Sequence, residues 1–358
     1  MKTPYFDRLQ RRGHEAVYFC RDRGSGLRAL IAFHDTTLGP AAGGTRRWAY
    51  ADEEEALQDV LRLSEGMTLK CSAAGLNNGG GKIVMLAEPG AAPRREQYRA
   101  LGRFIDRFQG HFVTGEDVGT GDEQLRWISQ TTRWVVGLPA AGMDKPETSA
   151  QTALGVRLGM KACLRRVVGK DDLEGVRVAV QGLGHVGMKL ARALAREGAR
   201  LVVSEVDPGK AQEAAGQLGA EVIEPQEIYR TDCDVFAPCA LGGVLNSRTV
   251  ESLRCRVVAG SANNQLGQDG DAERLHERQI AYLPDFVINA GGAIDNLAML
   301  DPQGYDADRV EEQIRKIPDR IERLLDISLE HGISTQKAAL HMARERLETA
   351  RQARKETS

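Results

Sequence analysis

No stretch of this chain approaches eighteen uninterrupted apolar residues, so a transmembrane helix is not expected. An excess of one charge is also missing: 48 basic against 50 acidic residues leave a formal net charge of −2, with both signs mixed throughout. That balance gives neither the basic stripe that nucleic acid requires nor an acidic tail. The opening, MKTPYFDRLQRRGHEAVYF, lacks an apolar core followed by a small-residue cleavage site, and no secretory leader is expected. Cysteine is unpatterned: Cys20, Cys71, Cys163, Cys233, Cys239 and Cys255 contain no C-x-x-C pair, and no histidine near Cys233 and Cys239 completes a metal cluster. Reduced thiols in a cytoplasmic protein, most of them small buried hydrophobes, and no metal site are expected. Internal repeats and low-complexity segments are lacking too.

What remains is a chain of 358 residues, long enough for two domains with sizeable cores. In the first third, EAVYFCRD and LRALIAFHD read as strands joined by a glycine-containing turn, and DEEEALQDVLRLSEGMTLK as a helix with an acidic start. KIVMLAE reads as a buried strand and REQYRALGRFIDRF as a further amphipathic helix. The Pro- and Gly-rich stretch at 138–151 reads as a hinge, running on into the helix TALGVRLGMKACLRRV. From residue 175 the pattern becomes strand, glycine turn, helix, strand, and CDVFAPCA, CRVVAGSA and AYLPDFVINA repeat the apolar theme. Such alternation predicts an α/β fold with a doubly wound parallel sheet, and the tail from Pro318 reads as helical.

VAVQGLGHVG places Gly182, Gly184 and Gly187 in G-x-G-x-x-G spacing between a strand and a helix. The first glycine suits a tight turn, the second the approach of a pyrophosphate, the third close helix–strand packing. His185 and Val186 complete the turn; His185 reads as a solvent-side residue, not a catalyst. Glu205 follows the next strand, eighteen residues beyond Gly187, where a carboxylate accepts from ribose hydroxyls and repels a 2′-phosphate. NAD is therefore the expected cofactor, with Asp207 an alternative to Glu205.

The segment AAGLNNGGGKIVM, 73–85, sets Lys82 behind three glycines. A phosphate loop needs a glycine six positions before the lysine and Ser or Thr after it; Leu76 and Ile83 stand there, so that reading fails.

GPAAGGTR (39–46), GMTLKCSAAGLNNGGGK (66–82) and TGEDVGT (114–120), followed by VQGLGHVG, CDVFAPCALGGVLN, VVAGSANNQL and PDFVINAGGAI, resemble in that order the motifs of the Glu/Leu/Phe/Val amino-acid dehydrogenase family, nearest its leucine/phenylalanine branch. The resemblance spans about residues 14 to 330. It implies reversible NAD(P)-dependent oxidative deamination of an L-amino acid to a 2-oxo acid and ammonia, in a homo-oligomer without nucleic-acid or membrane partners. It implies an amino-terminal mixed α/β substrate domain (1–145, completed by C-terminal helices from 325–358) and a Rossmann-type doubly wound dinucleotide domain (146–324).

By the same resemblance Lys70 holds the substrate carboxylate, Lys82 is the acid–base lysine, and Asp117 exchanges a proton with the substrate amine. The chemistry suits these types: a lysine desolvated beside a second cation loses basicity toward the working range, so it can activate the water that attacks an iminium. The glycines before Lys82 would give room for substrate and nicotinamide. Arg46 and Asn263 match substrate contacts, and Gly44 a place where backbone nears substrate. Cys239, Ala240, Ser261, Ala262 and Asn263 match segments along the cofactor, and Thr152 a threonine near the nicotinamide. For Arg46 an ion pair, and for Asn263 and Asn264 a turn, remain the competing readings.

Ala42 stands where glutamate enzymes carry a lysine, so a distal carboxylate would go unpaired. Ala42, Gly115 and Ala293 are smaller than the residues common in leucine enzymes, which implies a wider pocket and an aromatic, phenylalanine-like substrate, with overlap toward leucine and tryptophan. Asn296 and Asp295 are polar for such a wall, and either face solvent or meet a polar ring atom. The segment 142–151 departs from the family pattern, and Thr148 and Ser149 receive no role.

Overall fold

A computed structural model describes residues 4–138, 148–301 and 303–356. Most of the expected hinge, 139–147, lies outside the described residues, as does the boundary at 145. The described chain forms two compact units, one drawn from 1–146, 299–305 and 343–358, the other from 147–298 and 306–342.

In the first unit α1 (Tyr5–Arg12) leads into the hairpin β1 (Ala16–Asp22) and β2 (Leu27–Asp35). Then come β3 (Ala41–Ala42), β4 (Thr45–Trp48), α2 (Glu53–Ala73), β5 (Gly79–Leu86), α3 (Arg95–Asp106), β6 (Phe112–Val113) and α4 (Asp122–Ser129). The sheet order is β1-β2-β5-β3-β6, with β4 also on β5. β3 and β4 both run parallel to β5, and Gly43–Gly44 interrupt what is otherwise one strand.

Alternation decides which side chains go where. On β2, Ile31 and Phe33 join Ile83 and Met85 of β5 in a core with α3 and α4. Leu30, Ala32 and Val84 face Ala56, Leu57, Val60 and Leu61 of α2 instead. Lys82 shares the parity of Val84 and so belongs to the α2 side of the sheet. The start of α2 is fixed locally: the Asp52 carboxylate accepts from the Glu55 N–H at 2.8 Å, and the Glu55 carboxylate accepts from the Ala51 N–H at 2.7 Å.

The strand expected from Lys82 onward begins three residues earlier, because the glycines are part of it. A Cβ on Gly80 would collide with Thr68 of α2, and one on Gly81 with the Phe112 ring. The three glycines are buried, and a Cβ on each would strike the protein's own atoms: the Asp35 carbonyl at Gly79, Thr68 at Gly80 and Phe112 at Gly81.

The second unit opens with α5 (Thr148–Val168), then alternates β7 (Arg177–Gln181), α6 (His185–Arg196), β8 (Arg200–Ser204), α7 (Pro208–Leu218) and β9 (Glu221–Val222). It continues with β10 (Val235–Pro238), α8 (Ser247–Ser252), β11 (Val257–Val258), α9 (Gly270–Glu277) and β12 (Ala281–Tyr282). The six strands are parallel in the order β12-β11-β10-β7-β8-β9, the doubly wound arrangement. AYLPDFVINA is a strand only at its first two residues. Pro284 has no N–H to give a ladder and instead precedes α10 (Asp285–Ile288).

Helices α11 (Gly291–Ala298), α12 (Ala307–Ile314), α13 (Ile317–His331) and α14 (Thr335–Glu356) complete the chain. The return to the first unit falls at Ala343 inside α14, not at 325. Side chains explain the shift: Gly155 and Gly159 of α5 admit Ile288 and Ile317 against the helix, and Arg166 of α5 pairs with Asp326 of α13. Beyond 343, Ser72 donates to the Ala343 carbonyl at 2.7 Å and Arg346 to the Leu76 carbonyl at 2.7 Å.

Candidate functional site

In the first unit the backbone brings Lys82 and Asp117 together. Residues 43–45 lie between two partners: Gly43 N–H donates to the Val113 carbonyl at 3.1 Å and Thr45 N–H to the Gly115 carbonyl at 3.0 Å, while the Gly44 carbonyl accepts from Ile83 N–H at 3.3 Å. A Cβ on Gly44 would strike the Glu116 carbonyl. The chain's own 116–117 segment thus packs directly against Gly44. Asp117 begins a tight turn in which it and Thr120 exchange backbone bonds at 2.9 and 3.2 Å.

Lys82 is 4% exposed and its ammonium donates to Asp117 Oδ2. Asp117 Oδ1 accepts from Arg46 Nε at 2.8 Å and from the Val118 N–H at 2.7 Å. Burial lowers the basicity of Lys82; Asp117 opposes this, and Arg46 and Lys70 add to it, leaving the pKa below the ordinary lysine value. For Asp117, burial pushes the carboxyl up but Lys82 and Arg46 outweigh it, so the group is held below the usual carboxylate value. Asp117 is thus held as an anion between two cations, Lys82 and Arg46. Lys70 lies in the last turn of α2, the helix packed on the Lys82 face of β5.

Arg46, expected as a substrate contact with an ion pair as the competing reading, makes two ion pairs here. Its Nε is engaged by Asp117 and its Nη1 by Asp59 at 3.0 Å, so it serves as a strut of the pair. Asp59 and Tyr50, which sequence reasoning passed over, close this network: the Tyr50 hydroxyl donates to Asp59 Oδ2 at 2.7 Å and Arg62 to Oδ1 at 2.8 Å. Neither carries a motif; they meet Arg46 only through the fold. A pocket of about 500 Å³ opens beside them, lined by Arg46, Trp48, Tyr50, Asp59, Arg62 and Val118 among others. Ala42 is buried in β3 opposite Gly80, and a Cβ on Gly115 would press on Val136.

In the second unit the cofactor candidates other than Thr152 of α5 follow the carboxyl ends of β7, β8, β10 and β11, where doubly wound sheets bind ligands. Gly182 has φ +91, and a Cβ there would strike Ala240. One on Gly187 would strike the Gly182 carbonyl. Gly184 differs: a Cβ would meet nothing in the protein. Its bareness is not needed by the fold, which fits a pyrophosphate approaching the N-terminus of α6. His185 is exposed beside it and Val186 is half-buried. Glu205, just past β8, accepts from the N–H groups of Leu183, Val206 and Asp207. Asp207 is occupied differently, capping α7 through the Gly209 N–H at 2.9 Å.

Cys239 N–H donates to the Gln181 carbonyl at 2.8 Å, joining that segment to the end of β7. Burial raises the Cys239 thiol, with Ser261 opposing, so it remains a thiol. Ser261 and Ala262 are buried, and Asn263 is exposed with its Oδ1 accepting from Asn289 at 2.8 Å. Asn264 has φ +52, the turn-forming role, and its N–H is held by Asp285. Gln265, also passed over, fixes this turn by donating to the carbonyls of Gly260 and Ala262, each at 2.9 Å. Thr152 donates to the Thr148 carbonyl at 2.8 Å and packs against Gly292, beside exposed Ala293. Asn296 is half-buried; Asp295 is buried, which removes solvent as its environment. Ser149 of the divergent segment accepts from Lys189 at 2.7 Å. No group of three or more His, Cys, Asp or Glu able to hold a metal occurs among the described residues.

Residues 14–134 match the family model of the Glu/Leu/Phe/Val dehydrogenase dimerisation domain, and residues 204–355 match that of Glutamate/Leucine/Phenylalanine/Valine dehydrogenase. Leucine dehydrogenase of Thermoactinomyces intermedius is 46% identical, over 98% of this chain and 95% of that one. Phenylalanine dehydrogenase of the same organism is 40% identical, over 96% and 93%. The crystal structure of L-tryptophan dehydrogenase from Nostoc punctiforme superposes with a TM-score of 0.89 at 43% identity, covering 97% of this chain and 99% of the other. With a buried lysine–aspartate pair in one unit and a glycine turn opening α6 in the other, the chain belongs to the Glu/Leu/Phe/Val dehydrogenase family and is an amino-acid dehydrogenase, an oxidoreductase on CH–NH2 donors that works with a nicotinamide cofactor.

Proposed function

We propose that this protein catalyses NAD-dependent, reversible oxidative deamination of a hydrophobic L-amino acid, with an aromatic, phenylalanine-like side chain favoured, as a cytoplasmic homo-oligomer. The observation that carries the chemistry is the buried contact between Lys82 and Asp117 beside Arg46. Bound nicotinamide supplies the acceptor for the hydride leaving the substrate α-carbon. Lys70 pairs with the substrate carboxylate. Lys82, desolvated and flanked by cations, takes a proton from water as that water attacks the iminium carbon, and returns one when the carbinolamine collapses. Asp117 exchanges a proton with the amine, which becomes possible once substrate ammonium displaces the Lys82 contact. Gly182, Gly184 and Gly187 hold the pyrophosphate, Glu205 the adenosine ribose, and Thr152, Cys239, Ala240, Ser261, Ala262 and Asn263 the remainder.

Preference for NAD is supported by the Glu205 carboxylate at the end of β8, which would repel a 2′-phosphate. Aromatic preference is supported by three small residues, Ala42, Gly115 and Ala293, at positions the family gives to side-chain contact. Single methylenes discriminate by only about 1–3 kcal/mol, so neighbouring substrates should also turn over. A branched-chain reading is favoured by the identity with leucine dehydrogenases. The test is consumption of NADH and NADPH with ammonia and three oxo acids: phenylpyruvate, 4-methyl-2-oxopentanoate and indolepyruvate. The highest kcat/KM with phenylpyruvate and NADH is expected. Preference for 4-methyl-2-oxopentanoate or indolepyruvate replaces the aromatic assignment with a leucine- or tryptophan-like one, and no turnover with any of them refutes the activity.

A further inference from the structure

The ion network behind Asp117 does not end at Arg46. Asp59, on the second turn of α2, accepts Arg46 Nη1 at 3.0 Å, the Tyr50 hydroxyl at 2.7 Å and Arg62 at 2.8 Å. Its side chain is 15% exposed, and Arg46 is 19% exposed, so their charges are screened only in part by solvent. Arg46 thus bridges two carboxylates, one touching Lys82 and one on the far side.

We propose that Asp59, held by Tyr50 and Arg62, is a positioning residue for the Lys82–Asp117 pair: through Arg46 it fixes the Asp117 carboxylate and sets how much positive charge that pair feels. This rests on the reading of Lys82 and Asp117 as the acid–base groups. The geometry makes the role specific. Arg46 presents Nε to Asp117 and Nη1 to Asp59, so the planar guanidinium is pinned at two corners and cannot rotate away from Asp117 without breaking the second contact. Electrostatically, a guanidinium with its own counter-ion disturbs Lys82 less than a bare one does.

The groups that face Lys82 are Asp117, Arg46 of β4 and Lys70 of α2; β2 sets Ala32 opposite it. Those that face Asp59 are Arg46, Tyr50 and Arg62, with Arg12 of α1, Glu55 and Gln58 lining the same pocket. Among these, Asp59 is the carboxylate whose removal leaves Arg46 with Asp117 as its one remaining counter-ion, the carboxylate it shares with Lys82.

Asp59→Asn keeps an acceptor oxygen for Arg46 and Tyr50 while deleting the charge. The exposed cation should then move the Lys82 titration down by about one pH unit. Asp59→Glu restores the charge and should bring it back. Arg46→Gln removes the cation and should move the titration up. Two readouts on the full-length chain separate the claims. One is the pH dependence of kcat/KM for deamination. The other is the pH dependence of Lys82 acetylation by acetic anhydride, followed by peptide mass spectrometry, which needs no activity. Opposite displacements in Asp59→Asn and Arg46→Gln support the role. An unchanged midpoint in Asp59→Asn, or an upward one, overturns it, as would a fall in kcat at an unmoved profile, which signals structural damage alone. Should the unmodified protein deaminate nothing, the dehydrogenase reading fails by itself, and the labelling curves still decide the relation of Asp59 to Lys82. If Asp59→Asn does not fold, the sign in Arg46→Gln decides.

Discussion

Lys82 and Asp117, thirty-five positions apart in sequence, meet as a buried ion pair because β3 and β4 form the seam between β5 and the 113–117 segment. The pair is unequal: the lysine is almost enclosed, and the carboxylate is shared with Arg46 and the Val118 N–H. The consequences can be measured.

Replacing Lys82 by Ala should reduce deamination turnover roughly a thousandfold, the scale of a lost general acid–base group, while NADH binding followed by fluorescence is unchanged. Activity near that of the unmodified protein would remove Lys82 from the chemistry.

Asp117→Asn should lose turnover, because the amide takes no proton. It should also move the acid limb of any residual rate to lower pH. The sign follows from the loss of the anion that raises Lys82's pKa, leaving burial, Arg46 and Lys70 to lower it further. A limb displaced upward would contradict this.

For Lys70→Ala, the substrate KM should rise steeply with a smaller effect on kcat, since the carboxylate is held in ground and transition states alike. A change confined to kcat would argue against carboxylate binding.

The glycines of the dinucleotide turn should separate by property. Gly184→Ala meets no protein atom, so the melting temperature should hold while NADH affinity falls. Gly187→Ala forces a methyl against the Gly182 carbonyl and should cost about 1–3 kcal/mol in urea unfolding. Equal destabilisation by both would show that the turn is purely structural.

His14 is buried between Leu61, Ser64 and His34, and burial, with His34 and Arg12 adding to it, lowers its pKa from 6.5 to about 4. The folded state therefore disfavours its protonation. Its contribution is fully present above pH 6.5 and is lost as pH falls toward 4, about 3 kcal/mol over that window. Urea midpoints measured from pH 7 to 4 should fall less steeply for His14→Gln; equal slopes would discount it.

Much of this was legible in the linear text. The 182–187 turn declares itself by glycine spacing, β2 and β5 by apolar content, and α2 by an acidic start and leucine periodicity. These signals are local, because backbone conformation and side-chain parity depend on neighbours a few residues away. Other features misled for equally physical reasons. AYLPDFVINA is as apolar as a strand but contains a proline that turns it into a helix start, and the strand expected from Lys82 starts at Gly79 because what requires glycine there, Thr68 and Phe112, is remote in sequence.

Residue types and order alone thus determined the family: a glycine turn between strand and helix, a carboxylate past the next strand, two lysines and an aspartate in family spacing. Only the tertiary structure decided their circumstances. It buried Lys82 beneath α2, gave Arg46 to two carboxylates, and recruited Asp59 and Tyr50 from segments without any motif. The reason is that desolvation and Coulomb energy depend on distances through space, and those are set by which strand pairs with which, a quantity no local window of sequence contains.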